Sequence, residues 1–277
     1  MLPTQFSGKT VLITGSGSGI GKATARAFCE AGASVMLNGR NAEKLERACA
    51  EFREQGFDAR YFVADVQDYE QCRRLVQETL DRFGRLDTLV ANASLSMRAE
   101  FAHMDPVVFR QVLDSNILSP AYTAHASIPA LRETGGNVIF IGSLSGMIGL
   151  PTGSAYSAGK MALTALAQSL RLELHKDGVH VGIAYVGFTQ NDPEKRVFDA
   201  EGRLVPVAER AGWMQQSQEA VANAIVRLAA RRGKRVILSP LGKILYVLNT
   251  VSPSLAERGV RWSYKKMERM FNSSDER

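Results

Sequence analysis

Thr14-Gly15-Ser16-Gly17-Ser18-Gly19-Ile20-Gly21 is the stretch that decides the fold. The apolar run Val11-Leu12-Ile13 leads directly into it, and an amphipathic stretch opens near Lys22. That order reads as a strand, a glycine turn and a helix. Glycines at 15, 19 and 21 let backbone N–H groups come close to an anion, and the helix start adds unpaired donors and a positive dipole end. The expected guest is the pyrophosphate of a dinucleotide. The glycines run Gly-x-x-x-Gly-x-Gly; in the common G-x-G-x-x-G register Gly17 would need a glycine at 22, where Lys22 stands. A mononucleotide P-loop is disfavoured, because Ala23 stands where a magnesium-binding Ser or Thr should follow the lysine, and Ser16 takes the first glycine position. The bland alternative is a Gly/Ser-rich turn without a ligand.

Working outward, 277 residues with 45% hydrophobic content suffice for one large core, and no Pro/Gly/Ser-rich linker divides the chain, so residues 1–277 read as a single domain. No signal peptide and no membrane-spanning run of about 18 to 20 apolar residues is read, and a cytoplasmic location is expected. Cys29, Cys49 and Cys72 are odd in number, lack C-x-x-C spacing and fall in helical patterns, which suits packing in a reducing compartment. His103, His125, His175 and His180 form no ligand spacing, and no metal site is indicated.

Short β-rich runs near residues 10–14, 34–38, 59–63, 87–91, 136–142, 179–185 and 235–238 alternate with longer helical stretches. This is the pattern of repeated βαβ units. It predicts a Rossmann-type, doubly wound α/β fold: a seven-stranded parallel sheet with helices on both faces, binding its ligand at the carboxyl ends of the strands. The second run, Ser34 to Asn38, ends where an acidic residue would hydrogen-bond the ribose 2′-hydroxyl of NAD. Gly39 stands there instead, followed by Arg40, whose planar fork suits a 2′-phosphate, so the expected cofactor is NADP. Further on, Tyr156 and Lys160 stand at i and i+4, one turn apart on one helix face. A free phenol titrates near about 10; a cation beside it favours the phenolate and would make Tyr156 a usable acid/base at neutral pH.

These residues resemble the short-chain dehydrogenase/reductase family over roughly residues 8–240. Thr14 to Gly21 is similar to its T-G-x-x-x-G-I-G turn, Asp65-Val66 to its adenine-contacting pair, and Asn92-Ala93 to the core of its N-N-A-G segment. Asn116, Ser143, Tyr156 and Lys160 match its catalytic tetrad, with Ser143 thirteen residues before Tyr156 at the end of a strand. The resemblance implies hydride transfer between nicotinamide C4 and a carbonyl/alcohol pair. Ser143 would polarise the substrate oxygen and Tyr156 would move the proton. Lys160 would hold the nicotinamide ribose and favour the phenolate, and Asn116 would anchor a water that links Lys160 to solvent. The implied cofactor contacts are Gly15, Gly17, Ser18, Gly19, Ile20, Arg40, Asp65, Val66, Asn92, Tyr156, Lys160, Gly187 and Thr189.

Two departures stand out. N-N-A-G reads Ala91-Asn92-Ala93-Ser94, where Ser94 in place of glycine would narrow the substrate side, and the P-G after the sixth strand reads Val186-Gly187, so a looser nicotinamide-side loop is expected. Residues 188–215 are longer than an ordinary connection and read as a lid, with Phe188, Val197, Phe198, Trp213 and Met214 as candidate pocket lining.

Residues 231–277 carry eleven Lys or Arg against four Asp or Glu, a net +7, so of the total +6 the first 230 residues hold −1. In this basic C-terminal extension, about 240–277, the apolar stretch Leu241, Ile244, Leu245, Tyr246, Val247, Leu248 and Val251 precedes Arg258, Arg261, Lys265, Lys266 and Arg269. Two readings stay open: contact with an anionic membrane surface, or a helix covering the active-site mouth or a dimer seam. Nucleic-acid binding is not expected, since the rest of the chain is slightly acidic. Segments 105–131 and 155–176 resemble the family's intersubunit helices, which implies a homodimer or homotetramer. The reading is an NADP-dependent reductase of ketones or aldehydes. A non-catalytic dinucleotide sensor and a membrane-peripheral reductase of lipid or steroid-type substrates are the alternatives.

Overall fold

The computed structural model describes residues 5–190, 192, 195–207 and 215–272. Strand β1 (Thr10–Ile13) is buried at every position, as a central parallel strand must be. Its side chains alternate. Val11 and Ile13 join Phe28, Phe52 and Ile225 on one face of the sheet, while Leu12 joins Leu75, Leu131 and Leu163 on the other.

The first face is covered by α1 (Gly19–Glu30), α2 (Ala42–Glu54) and α7 (Gln218–Ala230). The second is covered by α3 (Tyr69–Phe83), α5 (Ser119–Thr134) and α6 (Ser154–Glu173). The remaining strands of the sheet are β2 (Ser34–Gly39), β3 (Ala59–Val63), β4 (Thr88–Ala91), β5 (Asn137–Ser143), β6 (His180–Val186) and β9 (Arg235–Ile237). All seven run parallel in the order β3-β2-β1-β4-β5-β6-β9, so the order reverses between β1 and β4 and opens a crevice at their carboxyl ends.

Local chemistry sets the helix starts. Asn41, Asp68 and Ser217 each accept an N–H of the first turn of α2, α3 and α7. Cys29, Cys49 and Cys72 are buried in α1, α2 and α3, and burial pushes the Cys29 and Cys72 thiols up to about 12 and about 11, so both are inert packing groups. Outside the sheet, β7 (Arg196–Phe198) and β8 (Leu204–Pro206) form an antiparallel hairpin. The chain continues into α8 (Pro240–Val251) and α9 (Pro253–Asn272).

Candidate active site

The glycine turn sits where β1 leaves the sheet. Gly15 and Gly19 have φ of +62° and +55°, a region open to glycine at little cost. A Cβ on Gly15 would stand 2.9 Å from Ala93 Cα, and one on Gly21 only 2.2 Å from the Gly15 carbonyl oxygen. Gly17 is under less constraint: its added Cβ would meet Lys44 Cβ at 3.3 Å. Neighbouring strands clamp the turn. Thr14 Oγ1 accepts the N–H groups of Asn92 and Ala93 at 3.0 Å, and Asn92 Nδ2 donates to the carbonyls of Thr14 and Gly15 at 2.9 and 3.0 Å. Asn92 thus holds the turn itself. On the other side Ser16 Oγ donates to Ile13 O and accepts the Asn38 N–H at 2.9 Å. Ser18 caps α1 through its backbone position only, and no acidic side chain stands in the first turn of α1. The N–H groups at the start of α1, which no side chain caps, and its positive dipole end fit a pyrophosphate.

Beside the turn, Arg40 follows β2 and faces Asp65 at 3.7 Å, with both side chains partly exposed. Asp65 Oδ1 accepts the Gln67 N–H, and Val66 is buried beneath. Lys44 rises beside Gly17 in the first turn of α2. It escaped the sequence reading, since its place beside Gly17 is a contact between residues 27 apart in the chain.

The candidate chemical groups gather at the ends of β5 and α6. Ser143 closes β5, and its Oγ accepts the Ser145 N–H at 3.2 Å, which starts the short turn Leu144–Gly146. On α6 the Lys160 ammonium lies 5.6 Å from the Tyr156 ring centroid and donates to the Ile141 carbonyl of β5 at 2.9 Å. Lys160 is only 3% exposed, and burial first, then the positive charge of Lys195, pushes its ammonium down to about 7.

Asn116 lies in a π-helical turn, Asp114–Leu118, between α4 (Pro106–Leu113) and α5. Such turns recur at functional sites because they re-aim one side chain. Its Nδ2 donates to Leu95 O and Val112 O at 2.7 Å, while its buried Oδ1 has no partner, an acceptor left for a water or another donor. Gly159 permits this arrangement, since a Cβ there would meet Asn116 Cβ at 2.6 Å.

The expected lid contains a docked hairpin. Arg98 N–H donates to Phe198 O at 2.8 Å, Phe198 N–H to Ser96 O at 3.0 Å, and Asp105 N–H to Ala200 O at 2.9 Å. Phe198 and Tyr156 both pack against the apolar cluster that contains Met97, Ala99, Met104, Val108 and Ala155. Val197 is buried within the hairpin. Met97 was not singled out from sequence, since nothing local distinguishes it from a core methionine. Trp213 and Met214 lie outside the described residues, and Ser94 is exposed.

The loop lacking the usual proline is tied by other means. Gln216 exchanges backbone hydrogen bonds with Phe188 and Gln190, both at 2.9 Å, while Gly187 lies against Ser239 and Thr189 Oγ1 donates to Gly187 O. Thr152, at φ +59°, holds a strained backbone two residues before α6 and accepts the Ala99 N–H at 3.0 Å.

Comparison with known proteins bears on this arrangement. The family model for short chain dehydrogenase matches residues 9–202. The 11-beta-hydroxysteroid dehydrogenase 1A of Arabidopsis thaliana is 32% identical over 273 residues, 93% of this chain and 76% of that protein. A dehydrogenase/reductase from Sinorhizobium meliloti superposes with a TM-score of 0.74 at 28% identity, covering 85% of this chain and 96% of that one. An alcohol dehydrogenase from Thermococcus sibiricus, complexed with 5-hydroxy-NADP, does so with a TM-score of 0.72 at 25% identity, covering 83% and 95%. With its doubly wound sheet, glycine turn and Tyr156/Lys160 helix, the chain belongs to the short-chain dehydrogenase/reductase family, NAD(P)-dependent oxidoreductases that act on CH–OH or carbonyl groups.

Proposed function

We propose that this protein is an NADP-linked reductase of ketones or aldehydes with an apolar body, and that Tyr156 is its general acid/base. The observation that carries the reading is the buried Lys160 ammonium 5.6 Å from the Tyr156 ring, on the helix that follows Ser143. When bound, the nicotinamide supplies a hydride at C4. Ser143 Oγ holds the substrate oxygen, and the Tyr156 hydroxyl donates the proton that completes the alcohol. The Lys160 ammonium stabilises the phenolate left behind, and the free Asn116 Oδ1 holds a water through which the proton is restored. Met97 and Phe198 wall the substrate side and favour lipophilic carbonyls, and the steroid name of the Arabidopsis relative is in keeping with that choice. In the alcohol direction each proton step runs in reverse.

The NADP preference rests on Gly39, which sets no carboxylate against a phosphate, and on Arg40, whose 3.7 Å pairing with Asp65 is loose enough for the guanidinium to turn to a 2′-phosphate. Lys44, whose Cβ lies beside Gly17, adds a second cation next to the glycine turn. The family is commonly oligomeric, and α5 and α6 are the helices on which a homodimer or homotetramer would form.

The test is a titration of NADPH and NADH followed by nicotinamide fluorescence, with the wild type and Arg40→Ala. Tighter NADPH binding that falls by about ten-fold or more in the variant, with NADH unchanged, is expected for a lost charge-assisted bond of about 1.5 to 3 kcal/mol. Equal binding of the two cofactors by the wild type would overturn the preference.

A further inference from the structure

Helix α8 is apolar on both of its sides, which a helix at a protein surface is not unless something covers the outer one. Its inner side packs on the domain: a Cβ on Gly242 would stand 2.5 Å from Leu144 Cδ2, and Asn249 Nδ2 donates to Met147 O at 2.8 Å. The outer side, spaced i, i+3, i+6 and i+10, carries Leu241, Ile244, Val247 and Val251, the last 78% exposed. On α9, Leu255 and Trp262 stand seven residues apart, hence on one face, and both are exposed. Exposed Lys243, Arg258 and Arg261 flank these apolar residues.

From this we infer that α8 and α9 form a docking surface for an anionic lipid bilayer. Charge decides between this partner and a second copy of the chain. An isologous contact through this face would set one α8–α9 segment, with six Lys or Arg against Glu257 and Glu268 and hence a net +4, against another, whereas anionic headgroups complement it. Docking is in the plane of the interface, since among the described residues no helix is long and apolar enough to cross a membrane. The surface also has a place in the chemistry. The inner side of α8 touches Leu144 and Met147, in the turn that follows Ser143, so the bilayer would lie about one helix diameter, about 10 Å, from the substrate side. A carbonyl compound dissolved in the membrane would then reach the site along α8.

The full chain is mixed with vesicles of phosphatidylcholine alone or with phosphatidylglycerol, and the sedimented fraction is measured at low and high salt. Ile244→Glu/Val247→Glu serves as the variant, with NADPH titration and gel filtration as controls; both side chains are exposed, so the fold is retained. Expected are sedimentation with phosphatidylglycerol vesicles that weakens with salt, and at least about ten-fold weaker partition of the variant at unchanged NADPH affinity and unchanged size. The inference is overturned if the wild type stays in the supernatant with both vesicles, or if the variant partitions as well as the wild type. A variant that instead changes oligomeric state would mark the face as a subunit seam and likewise overturn it. Because the readout is partition, failure here leaves the reductase reading intact.

Discussion

Around the glycine turn, a Cβ on Gly21 would lie 2.2 Å from a backbone oxygen; beyond β6, the hairpin meets Ser96 and Arg98 through main-chain hydrogen bonds that many sequences could make. Both regions belong to one site, at the carboxyl edge of one sheet. The cofactor side is built from close backbone approach, which restricts residue identity at single positions. The substrate side is built from apolar contact, which accepts any side chain of suitable volume. The first kind of region can be read from residue types, and the second is where relatives of one fold diverge in substrate.

The sharpest way to break that comparison is a methyl group on each side of the turn. Gly21→Ala must displace backbone, so about 3 kcal/mol of stability and about a hundred-fold of NADPH affinity should go, by thermal unfolding and fluorescence titration. Gly17→Ala, which meets only Lys44 Cβ at 3.3 Å, should stay within about 1 kcal/mol. Equal effects would mean that the turn is not set by backbone approach.

On the substrate side, Phe198→Ala removes half-buried ring surface from the Tyr156 cluster. KM for an apolar ketone should rise about ten-fold while NADPH affinity holds. A loss of cofactor binding instead would show that the two halves are not separable.

A smaller effect sharpens the picture of Lys160. Burial pushes its ammonium from 10.5 down to about 7, so between those values the unfolded chain binds the extra proton and the folded chain does not. Its contribution to cofactor-free stability is therefore lowest below pH 7 and rises as pH climbs towards about 10. Urea midpoints at pH 7 and pH 9 should show that rise, and Lys160→Met should flatten it.

How much of this was legible in the sequence follows the same division. The parallel sheet was readable because short β-rich runs alternate with helical patterns, and the Thr14–Gly21 turn because glycine is demanded by φ and by contact. The placing of Asn116, Ser143, Tyr156 and Lys160 rested on their resemblance to a family pattern. What escaped is non-local. Asn92 clamps the turn from 77 residues away, the π-helical turn that carries Asn116 has no composition of its own, and Met97 gains meaning only when Phe198 is laid beside it. The backbone tie from Gln216 to Phe188 and Gln190 is likewise long-range and has no local signal.

The most direct test of the reductase account is Tyr156→Phe, followed by NADPH consumption with a panel of apolar ketones and aldehydes. The account predicts turnover by the wild type, a fall of about 10²- to 10⁴-fold in the variant, and NADPH affinity unchanged within about two-fold. A variant that consumes NADPH as fast as the wild type would contradict the assignment of Tyr156 as the acid.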